Sequence, residues 1–352
     1  MSPRLHLIVP GPLDQRTGGY LYDARMVGGL RRLGWTVDVI SLEGAFPHAD
    51  ARARVSMQES LAALPNGSRV VIDGLAMGGL PDPIRDHGER LRIVSLVHHP
   101  LADETGLSPS DEEKFRDSER EALKHCSGVV VTSPFTARRL AGYGVPERRI
   151  RAVPPGTAPA AWATGPGEGA PPQLICVGTL TQRKGHDTLV AALDLVRDLD
   201  WTCVCAGSLD RDQEHTRAVR DQVTTAGLAN RIFFLGEVDE EVLSRLYDAS
   251  SMFVLPSRYE GYGMAFTEAL ARGLPVVSTT GGAIPFTVPA EAGNLVRPGD
   301  VPAFAAALRS LLDGLSTRRE RMAAAARSHA ATLPSWEDSA AAFALALDEL
   351  AR

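Results

Sequence analysis

The sequence lacks the features that mark several large classes of protein. Only three of its 37 basic residues are lysines, and 43 acidic residues bring the net charge to −6, so no basic surplus indicates nucleic-acid binding. Four cysteines in 352 residues do not suggest a disulfide framework. No apolar run approaches the roughly 20 residues that span a bilayer, and the N-terminus turns to Pro-Gly too early for a signal peptide. We expect a cytoplasmic protein that contacts membranes peripherally at most.

Short apolar runs alternate with helical stretches along most of the chain. Strands are predicted at 5–9, 37–42, 70–73, 92–97 and 129–132, and again at 174–177, 202–206, 232–235, 252–255 and 275–278. Helices are predicted between them, beginning with 19–33, which Gly34 should end, and the chain closes with helical segments at 301–331 and 336–351. This alternation predicts parallel sheets covered on both faces. The fold class is therefore α/β, with two Rossmann-like domains.

A stretch rich in proline, glycine and alanine separates the two series of strands. It extends from Pro154 to Pro172 and predicts a flexible linker, centred on 161–172, between domains at 1–160 and 173–335. In parallel α/β sheets ligands bind at the carboxyl ends of the strands, so we expect a ligand cleft there.

The loop after the predicted strand 252–255 is the most informative segment. Its glycines precede a helix that begins near Met264, and backbone N–H groups at such a helix start can bind a diphosphate. Glu260 and Glu268 lie on either side and can accept hydrogen bonds from sugar hydroxyls. An exposed loop glutamate and a surface helix glutamate would explain the same spacing equally well.

Cations follow the predicted strand 174–177. Arg183 and Lys184 lie in a glycine-containing loop between that strand and the next helix. A compact ammonium is suited to neutralising phosphate, and a solvated basic turn is the alternative.

Two loops of the first half also follow strands. His98 ends the strand 92–97 and can donate to a sugar hydroxyl or to developing charge, although a hydrogen-bonded rim histidine fits equally well. Gly18 and Gly19 open the first helix without the GxGxxG spacing of a dinucleotide site. No cysteine or carboxylate lies at ligand spacing from His98, so we expect no metal site.

Taken together, the segments EGYGMAFTEALARGLPVV, VGTLTQRKG and FLGEVDEEVLSRLYDASSMFVLPS resemble the retaining glycosyltransferases of family 4 (GT4). The similarity is close over 174–296 and more general in the first half, through GPLDQRTGGYLYDARMVGGLRRLGWTV, LVHHP and VVVTSPFTARRL. It implies the GT-B fold, in which two Rossmann-like domains face a central cleft. It also implies that the last helix, 336–352, packs back on the first domain.

The resemblance implies a role for each matching residue. Arg183 and Lys184 would hold the donor diphosphate. Glu260 would bind hydroxyls of the transferred sugar, and Glu268 those of the ribose. The remaining implied contacts are Gly18 and Gly19 over the donor phosphates, His98 near the reaction centre, the backbone of Val238 at the base, and the backbone of Gly261, Tyr262, Gly263 and Met264 at the sugar and phosphates. Thr179 stands where many relatives carry arginine, and Pro154-Pro155-Gly156 replaces their PNG.

The implied reaction moves a hexose-type sugar from a UDP- or GDP-sugar to a hydroxyl acceptor (a small molecule, lipid or glycan), with retention. Two cations and a helix start would stabilise the leaving diphosphate, so no metal ion or other cofactor is expected. A sugar-nucleotide epimerase or hydrolase, and a non-catalytic sugar-nucleotide binding protein, are the alternatives. The arginine- and alanine-rich composition suggests a bacterial source.

Overall fold

The computed structural model describes residues 2–313 and 316–351. The strands are β1 (Arg4–Pro10), β2 (Thr36–Leu42), β3 (Arg69–Asp73), β4 (Arg92–Val97), β5 (Gly128–Val131), β6 (Ile150–Ala152), β7 (Gln173–Val177), β8 (Thr202–Ala206), β9 (Ile232–Gly236), β10 (Met252–Leu255), β11 (Val276–Thr279) and β12 (Gly293–Val296). The helices are α1 (Gly18–Arg32), α2 (Ala51–Ala62), α3 (Gly74–Met77), α4 (Pro81–Gly88), α5 (Pro109–Lys124), α6 (Pro134–Ala141), α7 (His186–Asp194), α8 (Gln213–Thr225), α9 (Glu240–Asp248), α10 (Met264–Ala271), α11 (Ile284–Thr287), α12 (Val301–Leu312), α13 (Ser316–Ala330) and α14 (Trp336–Leu350).

The chain divides into two compact units, Met1–Gly156 with Pro334–Arg352, and Thr157–Leu333. The N-terminal unit contains a parallel sheet in the order β2-β1-β3-β4-β5-β6, and the C-terminal unit one in the order β12-β11-β10-β7-β8-β9. The prediction of two parallel α/β sheets is confirmed. The inner strands of each sheet are mostly apolar, and Gly128–Val131 is apolar along its whole length, because helices cover both faces of each sheet.

Two edge strands escaped the sequence pattern, because each has a weak apolar signal. The strands β6 and β12 are short edge strands; β12 begins with Gly293 and Asn294, residues that are depleted in strands, and is only half-buried. The helix α2 buries only Ala53, Met57 and Leu61, so its periodicity is faint. The single helix predicted at 301–331 is two helices, α12 and α13, and residues 314 and 315 between them lie outside the described range.

The segment predicted as a linker contains no helix or strand between residues 157 and 172. Its middle is nevertheless attached to the C-terminal unit by backbone hydrogen bonds. Ala163 N donates to Arg272 O (2.9 Å), and Thr164 N and Gly165 N donate to Asp248 O (3.0 and 2.9 Å). Residues 163–165 are therefore held in place by the C-terminal unit.

The last helix, α14, belongs to the N-terminal unit and packs on α1. Ser335 and Asp338 form a capping box that fixes its start. Trp336 and Phe343 place their rings edge-on to Tyr22 of α1, at centroid distances of 6.4 and 6.3 Å. None of the described helices has the length and apolar character needed to cross a bilayer.

The close approach of α1 and α14 predicts opposite effects for two neighbouring glycines. A Cβ at Gly29 would overlap the Cβ of Ala340, whereas a Cβ at Gly28 would meet only the guanidinium of Arg32, at 3.6 Å. We expect Gly29→Ala to lower the free energy of unfolding by about 1–3 kcal/mol through overpacking. Gly28→Ala should raise it by up to about 1 kcal/mol, because alanine is the better helix former. Urea titration of both variants tests this, and equal shifts would contradict the packing described.

Candidate functional site

The donor-site residues predicted in the second half of the chain lie at the carboxyl edge of the C-terminal sheet. The strand order of that sheet reverses between β7 and β10, which lie side by side. Loops that leave neighbouring strands in opposite directions open a crevice between them, and ligands of parallel α/β sheets bind at such switch points.

The loop after β7 is drawn toward the loop after β10 by a glycine. Residues Gln182–Lys184 form a 3₁₀ turn, and Gly185 follows with a φ of +70°. A Cβ at Gly185 would overlap the carbonyl oxygen of Pro256, so only glycine permits this approach. Arg258 N also donates to Arg183 O, at 2.7 Å. The 3₁₀ turn is thereby placed beside the loop that carries Glu260.

Arg183, Lys184 and Glu260 form one ion-pair cluster. Lys184 Nζ lies 2.7 Å from Glu260 Oε1, and Arg183 Nη1 lies 3.2 Å from Glu260 Oε2. The hydroxyl of Ser257 donates to Glu260 Oε1 at 2.6 Å. The side chains of Arg183, Lys184 and Glu260 are 20%, 15% and 6% exposed, so the cluster is largely removed from water. Sequence reasoning predicted these three residues, and the structure brings them together.

The electrostatics of this cluster favour an ionised glutamate. Burial acts to raise the pKa of Glu260, but the positive charges of Lys184 and Arg183 outweigh it and bring that pKa down to about 2. Burial lowers the pKa of Lys184, and the attraction of Glu260 opposes that effect. One carboxylate between two cations leaves a net charge of about +1 beside the switch point, which suits an anionic ligand.

The helix α10 begins at this edge of the sheet. Gly263 precedes it with a φ of +93°, and Gly261 and Tyr262 complete the turn from Glu260 to Met264. Thr287 donates its hydroxyl to Tyr262 O at 2.7 Å, which fixes the turn. The structure thus confirms the predicted loop and helix start.

Glu268 is half-buried on α10. Its Oε2 accepts from the hydroxyl of Tyr247 at 3.1 Å, and its carbonyl oxygen accepts from Arg272 at 3.1 Å. The guanidinium of Arg272 lies over the Tyr247 ring, 4.5 Å from its centroid. Val238, predicted at the base, is half-buried in the loop after β9, at the same carboxyl edge.

The N-terminal unit gathers its own predicted residues at the switch point between β1 and β3. Gly18 and Gly19 open α1, and a Cβ at Gly19 would lie 3.1 Å from Cδ2 of His98. The structure therefore places Gly19 against the His98 ring. Asp23, one turn further along α1, lies with its Oδ1 3.1 Å from His98 Nε2, and Asp73 Oδ2 lies 3.8 Å from the same nitrogen.

Sequence reasoning missed both of these carboxylates, and its premise that His98 has no carboxylate partner was wrong. Sequence spacing hides them because Asp23 comes from α1 and Asp73 from the end of β3. The ligand atoms of the three side chains lie within 4.8 Å of one another. A polar residue at the carboxyl end of a strand, such as Asp73, was the available signal. Asp23 could have been found four residues after Gly19 on a buried helix face.

Burial and the charges of neighbouring side chains together set the pKa values in this cluster of His98, Asp23 and Asp73. It raises the pKa of Asp73 to about 8, and the neighbouring Asp23 adds to that effect. Burial acts to lower the pKa of His98, but the carboxylate of Asp23 outweighs it, so the pKa is raised overall. A protonated His98 held by Asp23 can donate a hydrogen bond from the rim of the sheet.

The segment after His98 is held by a buried glutamate. Glu119 of α5 accepts from Leu101 N at 2.8 Å and from Ala102 N at 3.3 Å. Burial outweighs these bonds and raises the pKa of Glu119 to about 7.

This raised pKa predicts a pH-dependent stability. The pKa of Glu119 is about 7 in the folded protein and about 4.3 in an unfolded chain. The protonated side chain therefore stabilises the fold fully below pH 4.3, and this stabilisation is lost as the pH rises through 7. Relative to Glu119→Gln, we expect the wild type to lose up to about 3 kcal/mol of unfolding free energy between pH 4.3 and 8. Urea titrations across this range measure it. Glu113→Gln, at an exposed position of the same helix, should show no such trend.

Comparison with known proteins relates both units to glycosyltransferases. A family model described as "Glycosyl transferases group 1" matches residues 171–314. A second model, described as "Glycosyltransferase Family 4", matches residues 82–160. A D-inositol 3-phosphate glycosyltransferase of Geodermatophilus obscurus is 29% identical over 73% of this chain and 63% of its own length. A GDP-mannose-dependent monoacylated alpha-(1-6)-phosphatidylinositol monomannoside mannosyltransferase of Corynebacterium glutamicum is 31% identical over 47% of this chain and 44% of its own length.

Solved structures share the whole fold. Sucrose-phosphate synthase from Thermosynechococcus elongatus superposes with a TM-score of 0.83 at 22% identity and covers 99% of both chains. Anabaena HepE in complex with UDP-glucose gives a TM-score of 0.76 at 16% identity, over 98% of this chain and 99% of its own. The fold is that of the GT-B glycosyltransferases. Both family models describe glycosyltransferases, and the one that matches residues 82–160 is family 4, the family that the motifs predicted. The chain spans less than two thirds of the length of the two sequence relatives described.

Proposed function

We propose that this protein transfers a hexose-type sugar from a nucleotide diphosphate sugar to a hydroxyl acceptor, with retention at the anomeric carbon. The observation that carries the proposal is the cluster of Arg183, Lys184 and Glu260 at the switch point of the C-terminal sheet. Two cations with one carboxylate in a largely dry site match a ligand that carries phosphates next to hydroxyls.

The donor would occupy the carboxyl edge of that sheet. Its diphosphate would lie between Arg183, Lys184 and the N-terminus of α10, where backbone N–H groups and the helix dipole favour negative charge. Glu260, ionised even at low pH, would accept hydrogen bonds from the sugar hydroxyls. The carboxylate of Glu268 would accept from the ribose, and the loop at Val238 would contact the base.

The names of similar proteins support this donor class. The Corynebacterium relative is described as GDP-mannose-dependent, and the Anabaena structure contains UDP-glucose. For this chain we accordingly propose a UDP- or GDP-sugar.

The chemical step follows from where charge develops. The bond between the anomeric carbon and the phosphate oxygen breaks, and negative charge appears on the diphosphate, where Arg183 and Lys184 stabilise it. The acceptor oxygen forms its new bond to the anomeric carbon on the face that the diphosphate leaves. Its proton passes to a phosphate oxygen of the leaving group, so no protein nucleophile is used. Positive charge at the leaving group comes from the protein, and the reaction is proposed to need no metal ion.

A two-stage experiment tests this function. Thermal shifts with UDP, GDP, ADP and TDP identify the preferred diphosphate, since a ligand that binds the folded state raises the melting temperature. The matching sugar nucleotide is then incubated with D-inositol 3-phosphate and with free hexoses, and products are followed by NMR. A new glycosidic bond of the donor's own anomeric configuration supports the proposal. Inversion contradicts retention. Rapid conversion of donor alone indicates an epimerase or hydrolase, and binding without turnover a binding protein.

A further inference from the structure

Two cysteines and a histidine meet in the core of the C-terminal unit, behind the Arg183–Lys184 turn. Cys176 on β7 is the register partner of Cys205 on the neighbouring strand β8, so their side chains lie side by side on one face of the sheet. His186, the first residue of α7, packs on the same pair. All three are at most 1% exposed.

The distances within this cluster are those of a metal site. His186 Nε2 lies 3.5 Å from Cys176 Sγ, and the three ligand atoms all lie within 4.8 Å of one another. With Zn–S near 2.3 Å and Zn–N near 2.1 Å, a tetrahedral zinc ion separates its sulfur and nitrogen ligands by about 3.6 Å. An ion placed centrally in this triangle would be at most about 2.8 Å from each atom, so a shift of a few tenths of an ångström brings all three atoms to bonding distance and leaves the fourth position to a water molecule.

The ligand types also suit a metal. Two thiol sulfurs and one imidazole nitrogen lie close together in a buried site, and cysteine binds zinc as its thiolate. Cys126, buried in the N-terminal unit, belongs to no such cluster among the described residues.

Packing of the sheet accounts for the two buried cysteines but does not explain the histidine. A fully buried imidazole in an apolar core loses its hydration, and Nδ1 of His186 has no hydrogen-bond partner among the described residues. Metal coordination at Nε2 would compensate part of that cost.

We propose that Cys176, Cys205 and His186 bind a zinc ion. Two thiolates and one imidazole are the ligand types that zinc prefers. Because His186 follows Lys184 by only two residues, the ion would also fix the turn that carries the cations. The zinc proposal does not depend on the glycosyl-transfer proposal.

Metal content is the first test. The full chain, produced with zinc in the medium and purified without chelators, should contain about one zinc ion per molecule by mass spectrometry. Cys205→Ser and His186→Asn should reduce zinc content at least ten-fold, whereas Cys126→Ser, the matched buried cysteine, should retain it. Wild-type protein without zinc, or equal loss in Cys126→Ser, would overturn the proposal.

Cobalt supplies a readout that does not depend on the variants being folded. Co²⁺ added to chelator-treated wild type should produce a thiolate-to-metal charge-transfer band in the near-ultraviolet and raise the melting temperature. Chelation of the zinc form should lower the melting temperature reversibly. If the band is missing, or if mass spectrometry finds Cys176 and Cys205 joined as a disulfide, the site is not a zinc site.

Discussion

Lys184→Ala should reduce kcat by about 10²- to 10³-fold, which is the loss of about 3–4 kcal/mol that follows removal of one preorganised group facing developing negative charge. The ammonium of Lys184 is 15% exposed and 2.7 Å from Glu260, so it acts in a site with little water to take its place. Steady-state kinetics with the true donor and acceptor measure the effect.

The Lys184→Ala variant can be interpreted because the ion pair between Arg183 and Glu260 remains. Arg183 still contacts Glu260 in the absence of Lys184, so the loop keeps one of its two cations. Lys124→Ala, at an exposed lysine of the N-terminal unit, is the control for removing an ammonium. Lys184→Arg should restore activity only in part, because a planar guanidinium does not reproduce a compact ammonium. A near-normal kcat for Lys184→Ala would show that this side chain does not stabilise the leaving group.

Glu260→Gln should lower the free energy of unfolding by about 3 kcal/mol at pH 7. The folded pKa of Glu260 is about 2, against about 4.3 in an unfolded chain. Its ionised form therefore stabilises the fold above pH 4.3, and the contribution is lost as the pH falls through 2. The amide keeps the shape of the side chain but leaves Arg183 and Lys184 without their counter-charge.

Urea titrations at pH 7 and pH 3 measure this effect. At pH 3 the difference between Glu260→Gln and wild type should be roughly half of its value at pH 7, since the carboxylate is then mostly protonated in the unfolded chain and still mostly ionised in the folded one. Glu214→Gln, at an exposed glutamate of the same unit, should differ little from wild type at either pH. A pH-independent difference for Glu260→Gln would mean that packing, not charge, stabilises the loop.

The fold was largely predictable because its signals are local. Parallel strands buried on both faces appear as apolar runs, and glycines such as Gly34 and Gly263 mark where helices end or begin. The short edge strands escaped because only one neighbour supports them, and they need little apolar sequence. The helical segment predicted at 301–331 was not divided, although α12 is apolar and α13 is rich in arginine, because helical periodicity alone does not locate the break between two successive helices.

The candidate site was predictable where its residues share a loop or a helix start. Arg183, Lys184 and Glu260 each follow a strand, and parallel strands end at the same edge, so their meeting could be expected. Asp23 and Asp73 could not be paired with His98 by spacing, since three separate elements bring them together. The cluster around Cys205 could not be predicted, because alternation in a strand does not show which residue of a neighbouring helix faces it. That contact depends on the register of the strands and on how the helix packs across the sheet, which only the tertiary structure shows.

The position of α14 has a consequence for biosynthesis. The ribosome releases the N-terminal sheet first, yet the helix that covers Tyr22 and Gly29 is made only after the whole C-terminal unit. Until α14 has been made, that apolar face of the nascent chain is exposed, whereas the C-terminal unit is continuous in sequence and is already complete. We expect the C-terminal unit to complete its folding first, although it is made later. The N-terminal unit should remain accessible to chaperones for longer.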